Sequence, residues 1–144
     1  VSLDPGSAGF LVDYGARRFL ADTRGVDILL PNRAEAQLLV GDASTADGST
    51  LTPEECAEAL LEHAPTVVLT SGGEGVIIAR RGGELQRVPV EPVETVDPTG
   101  AGDAFSAGLL HGLLAGDDVV AATVTGVGTA RAAVALRGGR PPLA

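Results

Sequence analysis

Residues 94–114, ETVDPTGAGDAFSAGLLHGLL, decide how this chain is read. An extended lead-in, Val93 to Val96, feeds a turn-forming Asp97-Pro98-Thr99, and a hinge of small residues follows, Gly100-Ala101-Gly102. Asp103 is then expected to open a helix. Phe105, Leu109 and Leu113 recur at four-residue spacing, and Leu110 and Leu114 broaden the apolar stripe.

The first turn of a helix carries backbone N–H groups without intrahelical acceptors, and the macrodipole places partial positive charge there. Gly-Ala-Gly removes the side chains that would hold an anion away from those amides. The junction is therefore a candidate phosphate cradle. Asp103 beside it is unexpected, because a carboxylate repels a phosphate unless it has its own task. The task that fits is general base for a hydroxyl attacking a phosphoryl group held next door. The plain alternative is an N-terminal helix acid after a tight turn. On spacing alone the plain alternative is favoured, since short glycine motifs recur by chance.

The unbroken block from Val96 to Asp103, followed by Ala104-Phe105, shifts that balance. It closely resembles the C-terminal signature of the ribokinase-like (PfkB) carbohydrate kinases. The resemblance implies that the amides of Gly100, Ala101 and Gly102 form an anion hole for the transferred phosphoryl group. It also implies that Asp103 deprotonates the acceptor hydroxyl.

The 144 residues suit a single domain with a real core, and 44% hydrophobic residues argue for a globular fold. A net charge of −9 and 3% aromatics disfavour nucleic acid and acidic membrane surfaces as partners. No apolar run reaches transmembrane length, and no signal peptide opens the chain. The single cysteine, Cys56, excludes an internal disulfide framework and is expected as a free thiol in a helix. A cytoplasmic setting follows from these features. All 10 basic residues are arginine, so a Walker A loop, which needs its lysine, is ruled out. Phosphate binding must rest on amides, arginine or metal.

From the N-terminus, Val1 to Asp4 reads as a short strand ending in an acid, and one helix is expected from about Phe10 to Ala21. Val26 to Leu30 reads as a buried strand stopped by Pro31. Asn32 can cap the next helix, with Glu35 at the capping-box position. The same two residues stand at the carboxyl end of a strand, where open α/β sheets bind ligands. Gly41 to Ser49 is a polar loop. Thr52-Pro53-Glu54-Glu55 starts a helix running to about His63, and His63 itself is expected at the surface. Thr66 to Thr70 is a buried strand. Val76 to Ala79 returns from it as a strand, and Glu84 to Val88 pairs after a Gly82-Gly83 turn. Asp117 and Asp118 start a final helix, on which Val120, Val124, Val127, Arg131 and Val134 trace one face to about Leu136. Gly126 and Gly128 within it lower its propensity and would let a backbone or a nucleotide approach closely.

Three further segments resemble the same family. Asn32 and Glu35 match its Asn-x-x-Glu motif, which implies a role in organising magnesium and phosphates; magnesium keeps several waters and takes few protein ligands. Thr70, Gly72 and Gly75 match a Thr-x-Gly-x-x-Gly segment that lies along the nucleotide. The region around Val127 would border the adenine. Gly138-Gly139-Arg140-Pro141 resembles a closing segment that, with Asp97 and Thr99, holds a monovalent cation, potassium being the candidate. The implied cofactors are ATP and Mg2+, and the implied partner is a small sugar or nucleoside, with a homodimer as a prospect for a longer parent.

Strands alternating with helices, then a hairpin and two helices, indicate an α/β fold with a parallel-rich sheet covered on both faces. The resemblance spans essentially the whole chain, 1–144, and only the second half of the family's domain; the sugar-binding half and the lid have no counterpart. The leading expectation is an ATP-dependent sugar or nucleoside kinase. A non-catalytic nucleotide-binding remnant, or one half of a split kinase, is the alternative. A dinucleotide-dependent oxidoreductase ranks last, because no Gly-x-Gly-x-x-Gly joins an early strand to a helix.

Overall fold

The structure, a computed structural model, describes residues 1–41 and 50–138. The polar loop expected at 41–49, apart from Gly41, lies outside those residues, as do Gly139, Arg140 and Pro141. The chain divides into two compact units, Val1–Arg87 and Val88–Ala144.

The first unit is built on a sheet. Strands β1 (Ser2–Leu3), β2 (Ile28–Leu29), β3 (Thr66–Thr70), β4 (Val76–Arg80) and β5 (Gln86–Val88) lie in that order. β1 to β3 run parallel, with Leu3 opposite Leu29 and Leu29 opposite Val67. β4 returns antiparallel to β3, pairing Thr66 with Arg80 and Thr70 with Val76. The α/β, parallel-rich expectation holds, and the sheet is mixed. β1 and β2 are shorter than expected, yet the ladder reaches beyond them: Leu30 N–H donates to Leu3 O at 2.8 Å and Thr70 N–H to Pro31 O at 3.0 Å.

The helix expected over Phe10 to Ala21 is two helices, α1 (Ala8–Tyr14) and α2 (Ala16–Asp22). Gly15 separates them at φ +92°, outside the right-handed helical region, so the ladder must restart there. α3 (Arg33–Val40) and α4 (Pro53–Leu60) start as the sequence requires. In α4, Glu55 N–H donates to Thr52 Oγ1 at 3.2 Å while Thr52 N–H donates to Glu55 Oε2 at 2.7 Å. Thr52→Ala should therefore lower stability by about 0.5–2 kcal/mol, read by denaturant unfolding; an unchanged midpoint would show that the cap contributes nothing. α4 ends at Leu60, earlier than the expected His63, with Leu61 N–H bonded three residues back to Glu58 O. His63 is exposed.

The core of this unit follows the period of two along the strands. Val67 and Leu69 of β3 and Ile77 and Ala79 of β4 share one face and pack with Leu39 of α3 and Leu60 of α4. Cys56, a free thiol, is buried in the same cluster, where burial raises its pKa.

The second unit centres on α5 (Ala101–Ala115) and α6 (Val119–Val134). α5 begins two residues before Asp103, because Gly100 acts as N-cap in the left-handed region at φ +78°. Phe105 and Leu109 are buried as expected, but Leu110 is 37% and Leu114 89% exposed, so the buried stripe is narrower than the leucines suggested. The face read for α6 is met only at Val127. Val124 is 55% exposed, and the buried residues are Ala122, Thr123, Gly126, Val127 and Ala133. Close approach of the helix axes explains the shift. A Cβ on Gly112 would stand 2.8 Å from Ala122 Cα, and one on Gly126 would stand 2.8 Å from Phe105 O. Gly126 thus admits a helix backbone. Gly128 has nothing within 4 Å of such a Cβ.

No helix among the described residues is long and apolar enough to cross a membrane.

Candidate functional site

In the first unit the expected residues gather where β2 and β3 end side by side. Asn32 follows β2 and forms an isolated parallel bridge with Thr70, the last residue of β3. Asn32 is also the N-cap of α3. Its Oδ1 accepts Glu35 N–H at 3.0 Å, and Glu35 Oε2 accepts Asn32 N–H at 2.9 Å. Both faces of the sequence reading are therefore met at once: the pair is a capping box and it stands at the carboxyl end of adjacent parallel strands. Glu35 is 2% exposed, and burial pushes its carboxyl pKa up, against the Asn32 amide that lowers it; the charge of Asp4 adds to the rise. Asp4, the acid that ends β1, thus acts on this site electrostatically. The sequence signal for it was a strand-ending acid before a Pro-Gly turn.

Thr70, Gly72 and Gly75 form the next turn. Gly72–Glu74 make one 3₁₀ turn, closed by Gly75 N–H to Gly72 O at 3.2 Å, while Ser71 N–H donates to Gly75 O at 2.9 Å. Gly72 at φ +55° and Gly75 at φ +107° take backbone conformations that favour glycine. A Cβ at Gly72 or Gly73 would meet nothing within 4 Å, so the turn is open on that side. Ser71 Oγ is buried and has no hydrogen-bond partner among the described residues. An ion pair joins the two loops: Arg33 Nη1 donates to both carboxylate oxygens of Glu74, at 3.2 and 3.1 Å.

In the second unit the start of α5 holds the candidate anion hole. Ala101 N–H is committed to Pro98 O at 3.2 Å and Ala104 N–H to Gly100 O at 2.9 Å. Gly102 and Asp103 belong to the first turn, whose amides have no intrahelical acceptor. A Cβ on Gly102 would meet nothing within 4 Å, and Asp103 is exposed at the third helical position.

Asp97, Thr99 and Gly138 are brought together too. Asp97 Oδ1 accepts Thr99 N–H at 2.9 Å, and Oδ2 accepts Gly138 N–H at 3.0 Å. The Thr99 hydroxyl, then the Thr99 and Gly138 amides, hold the Asp97 carboxyl below the usual aspartate range. Amide donors do not ligate a cation, so these bonds organise the loop without themselves building a potassium site. Val127 is buried on α6 at 9% exposure.

A divalent ion fits the first unit only in the sparse manner of magnesium. Among the described residues no group of three or more His, Cys, Asp and Glu side chains could cage a metal. The Asn32–Glu35 end offers one buried carboxylate with one oxygen already bonded, which suits an ion that keeps its waters and takes phosphate ligands.

Known proteins are similar to this chain in sequence and in fold. The chain is 40% identical over 126 residues to an uncharacterised sugar kinase of Archaeoglobus fulgidus, covering 83% of this chain and 43% of that protein. The crystal structure of adenosine kinase from Sinorhizobium meliloti matches with a TM-score of 0.83 and 28% identity, over 99% of this chain and 41% of that one. A putative ribokinase II from E. coli, solved with ATP and Mg2+, matches with a TM-score of 0.76 and 28% identity, over 96% of this chain and 43% of that one. The chain thus spans less than half the length of these relatives. The model of the pfkB carbohydrate kinase family matches residues 14–144, a span that takes in Asn32, the Thr70 turn and the start of α5, and the chain belongs to that family.

Proposed function

We propose that this chain carries the ATP-binding and catalytic residues of a kinase acting on a hydroxyl of a sugar or nucleoside. The observation that carries the reading is the start of α5. A left-handed glycine cap turns the backbone into the helix, open space lies over Gly102, and an exposed carboxylate stands one residue later. In this reading Asp103 takes the proton of the acceptor hydroxyl as its oxygen attacks the γ-phosphorus, and ADP leaves. The Gly100–Gly102 turn stabilises the charge that develops on the phosphoryl oxygens.

Asn32 and Glu35 would hold magnesium through its waters, and the bound ion would neutralise phosphate charge. The Thr70–Gly75 turn and the α6 region around Val127 would line the nucleotide. Residues 1–144 then correspond to the nucleotide-binding and catalytic part of the family's domain. A cytoplasmic location, and a dimer of the protein that carries this chain, belong to the same reading. Asp97, Thr99 and Gly138 would hold a monovalent cation in this reading, beside the amide bonds that Asp97 already accepts.

Calorimetric titration of ATP with magnesium tests the anion hole. Gly102→Val should weaken binding by about tenfold or more, equivalent to about 1.4 kcal/mol. The added side chain meets no protein atom near its Cβ, so the loss would report on the ligand and not on the fold. Equal affinity for parent and variant would remove the anion hole from the reading. A purely nucleotide-binding role is the competing case; it keeps ATP affinity and releases no ADP with any pentose, hexose or nucleoside.

A further inference from the structure

We propose that Arg33 is a phosphate-binding residue of the nucleotide site, and that Glu74 holds it in reserve until a nucleotide arrives. The inference rests on the kinase reading and adds to it a residue and a competition.

The starting point is charge. Residues 31–35 and 70–75, the two loops at the ends of β2 and β3, contain Glu35, Glu74 and a single basic side chain, Arg33. Asp4 adds a further negative charge felt by Glu35. Such a site repels a triphosphate unless a cation is supplied, and the chain has no lysine to supply one. Arg33 is the first residue of α3, adjacent to Asn32, and its guanidinium reaches across to the glycine turn after Thr70.

Glu74 receives it there through Nη1 alone, at 3.1 and 3.2 Å, so the pair is not the two-nitrogen fork that arginine makes with its best partners. Both side chains are also largely in solvent, at 49% and 68% exposure, where ion pairs are screened and weak. A phosphate beside the α3 N-terminus could take both guanidinium nitrogens, and it would face the helix dipole as well. Arg33 would then exchange Glu74 for the nucleotide. Ser71 Oγ, buried and without a hydrogen-bond partner among the described residues, lies in the same turn.

The competition makes a signed prediction that a structural latch does not share. In calorimetry with ATP and magnesium, Arg33→Gln should weaken binding about tenfold, as loss of a charge-assisted phosphate contact does. Glu74→Gln should tighten it by about threefold, because Arg33 no longer has to be released. Glu74→Gln should tighten binding less in the Arg33→Gln background than in the parent, since only its direct repulsion of the triphosphate is left to remove there. With adenosine in place of ATP, neither single variant should differ from the parent. Weakening by both single variants would make the pair a latch on the loop and overturn the proposal, as would equal effects on adenosine and ATP. Unchanged ATP affinity in both variants would overturn it while leaving the kinase reading intact. A parent protein that binds no ATP at all would overturn the kinase reading itself, and this inference with it.

Discussion

Replacing Asp103 by Asn is expected to leave ATP affinity within about twofold of the parent and to lower turnover by about 10²–10⁴-fold, the usual worth of general-base assistance. The substitution keeps the shape and removes the basicity. The position suits the separation of the two effects. Asp103 is exposed at the third residue of α5, and Gly100, not Asp103, is the N-cap. The loss of its charge near the helix start should cost stability by only about 0.3–1 kcal/mol. The assay is release of ADP by the protein that carries this chain, with sugars and nucleosides as acceptors. Turnover above about a tenth of the parental rate would fall outside the general-base range and make Asp103 a helix acid only.

The largest stability effects should come from glycines with no chemistry at all. Gly126→Ala would place a Cβ 2.8 Å from Phe105 O and 3.0 Å from its ring carbons. Gly108→Ala would stand 2.9 Å from Gly126 Cα, a backbone atom that cannot swing away. On an open helix the exchange of Gly for Ala stabilises by about 0.5–1 kcal/mol. Here overpacking reverses the sign, and each variant should be destabilised by about 1–3 kcal/mol. Gly128→Ala provides the control, since its Cβ would touch nothing within 4 Å and should show the stabilising value. Urea unfolding of the three variants decides it. If Gly126→Ala were as stable as Gly128→Ala, the close packing of α5 on α6 would be wrong.

These glycines also explain what could not be read from the chain. The α6 face was placed on Val120, Val124, Val127, Arg131 and Val134 because valine outranks glycine on any hydrophobic count, and of these only Val127 is buried. The structure buries Ala122 and Gly126 instead, since helices at close range select small side chains. The break at Gly15 was hidden for a similar reason: an isolated glycine is tolerated in helices, and only its φ of +92° reveals the stop. Capping boxes are different. They involve residues three apart, so Asn32–Glu35 and Thr52–Glu55 were legible at once and both formed. Of the candidate site, the pieces carried by contiguous motifs were legible. The Arg33–Glu74 pair was not, because its members are 41 residues apart and meet only through the adjacency of β2 and β3.

The packing of α5 on α6 has a consequence for how the chain acquires its structure. The two helices are joined by residues 116–118 and make their contacts over short sequence distances. The parallel strands must instead wait for register between segments as far apart as Leu29 and Val67. Local contacts form fast and distant pairings slowly. The α5–α6 hairpin should therefore be protected early in pulsed hydrogen exchange during refolding, with Leu109 and Val127 amides ahead of those in β2 and β3. The helix that carries Asp103 would then be assembled before the sheet that presents Asn32 and Thr70.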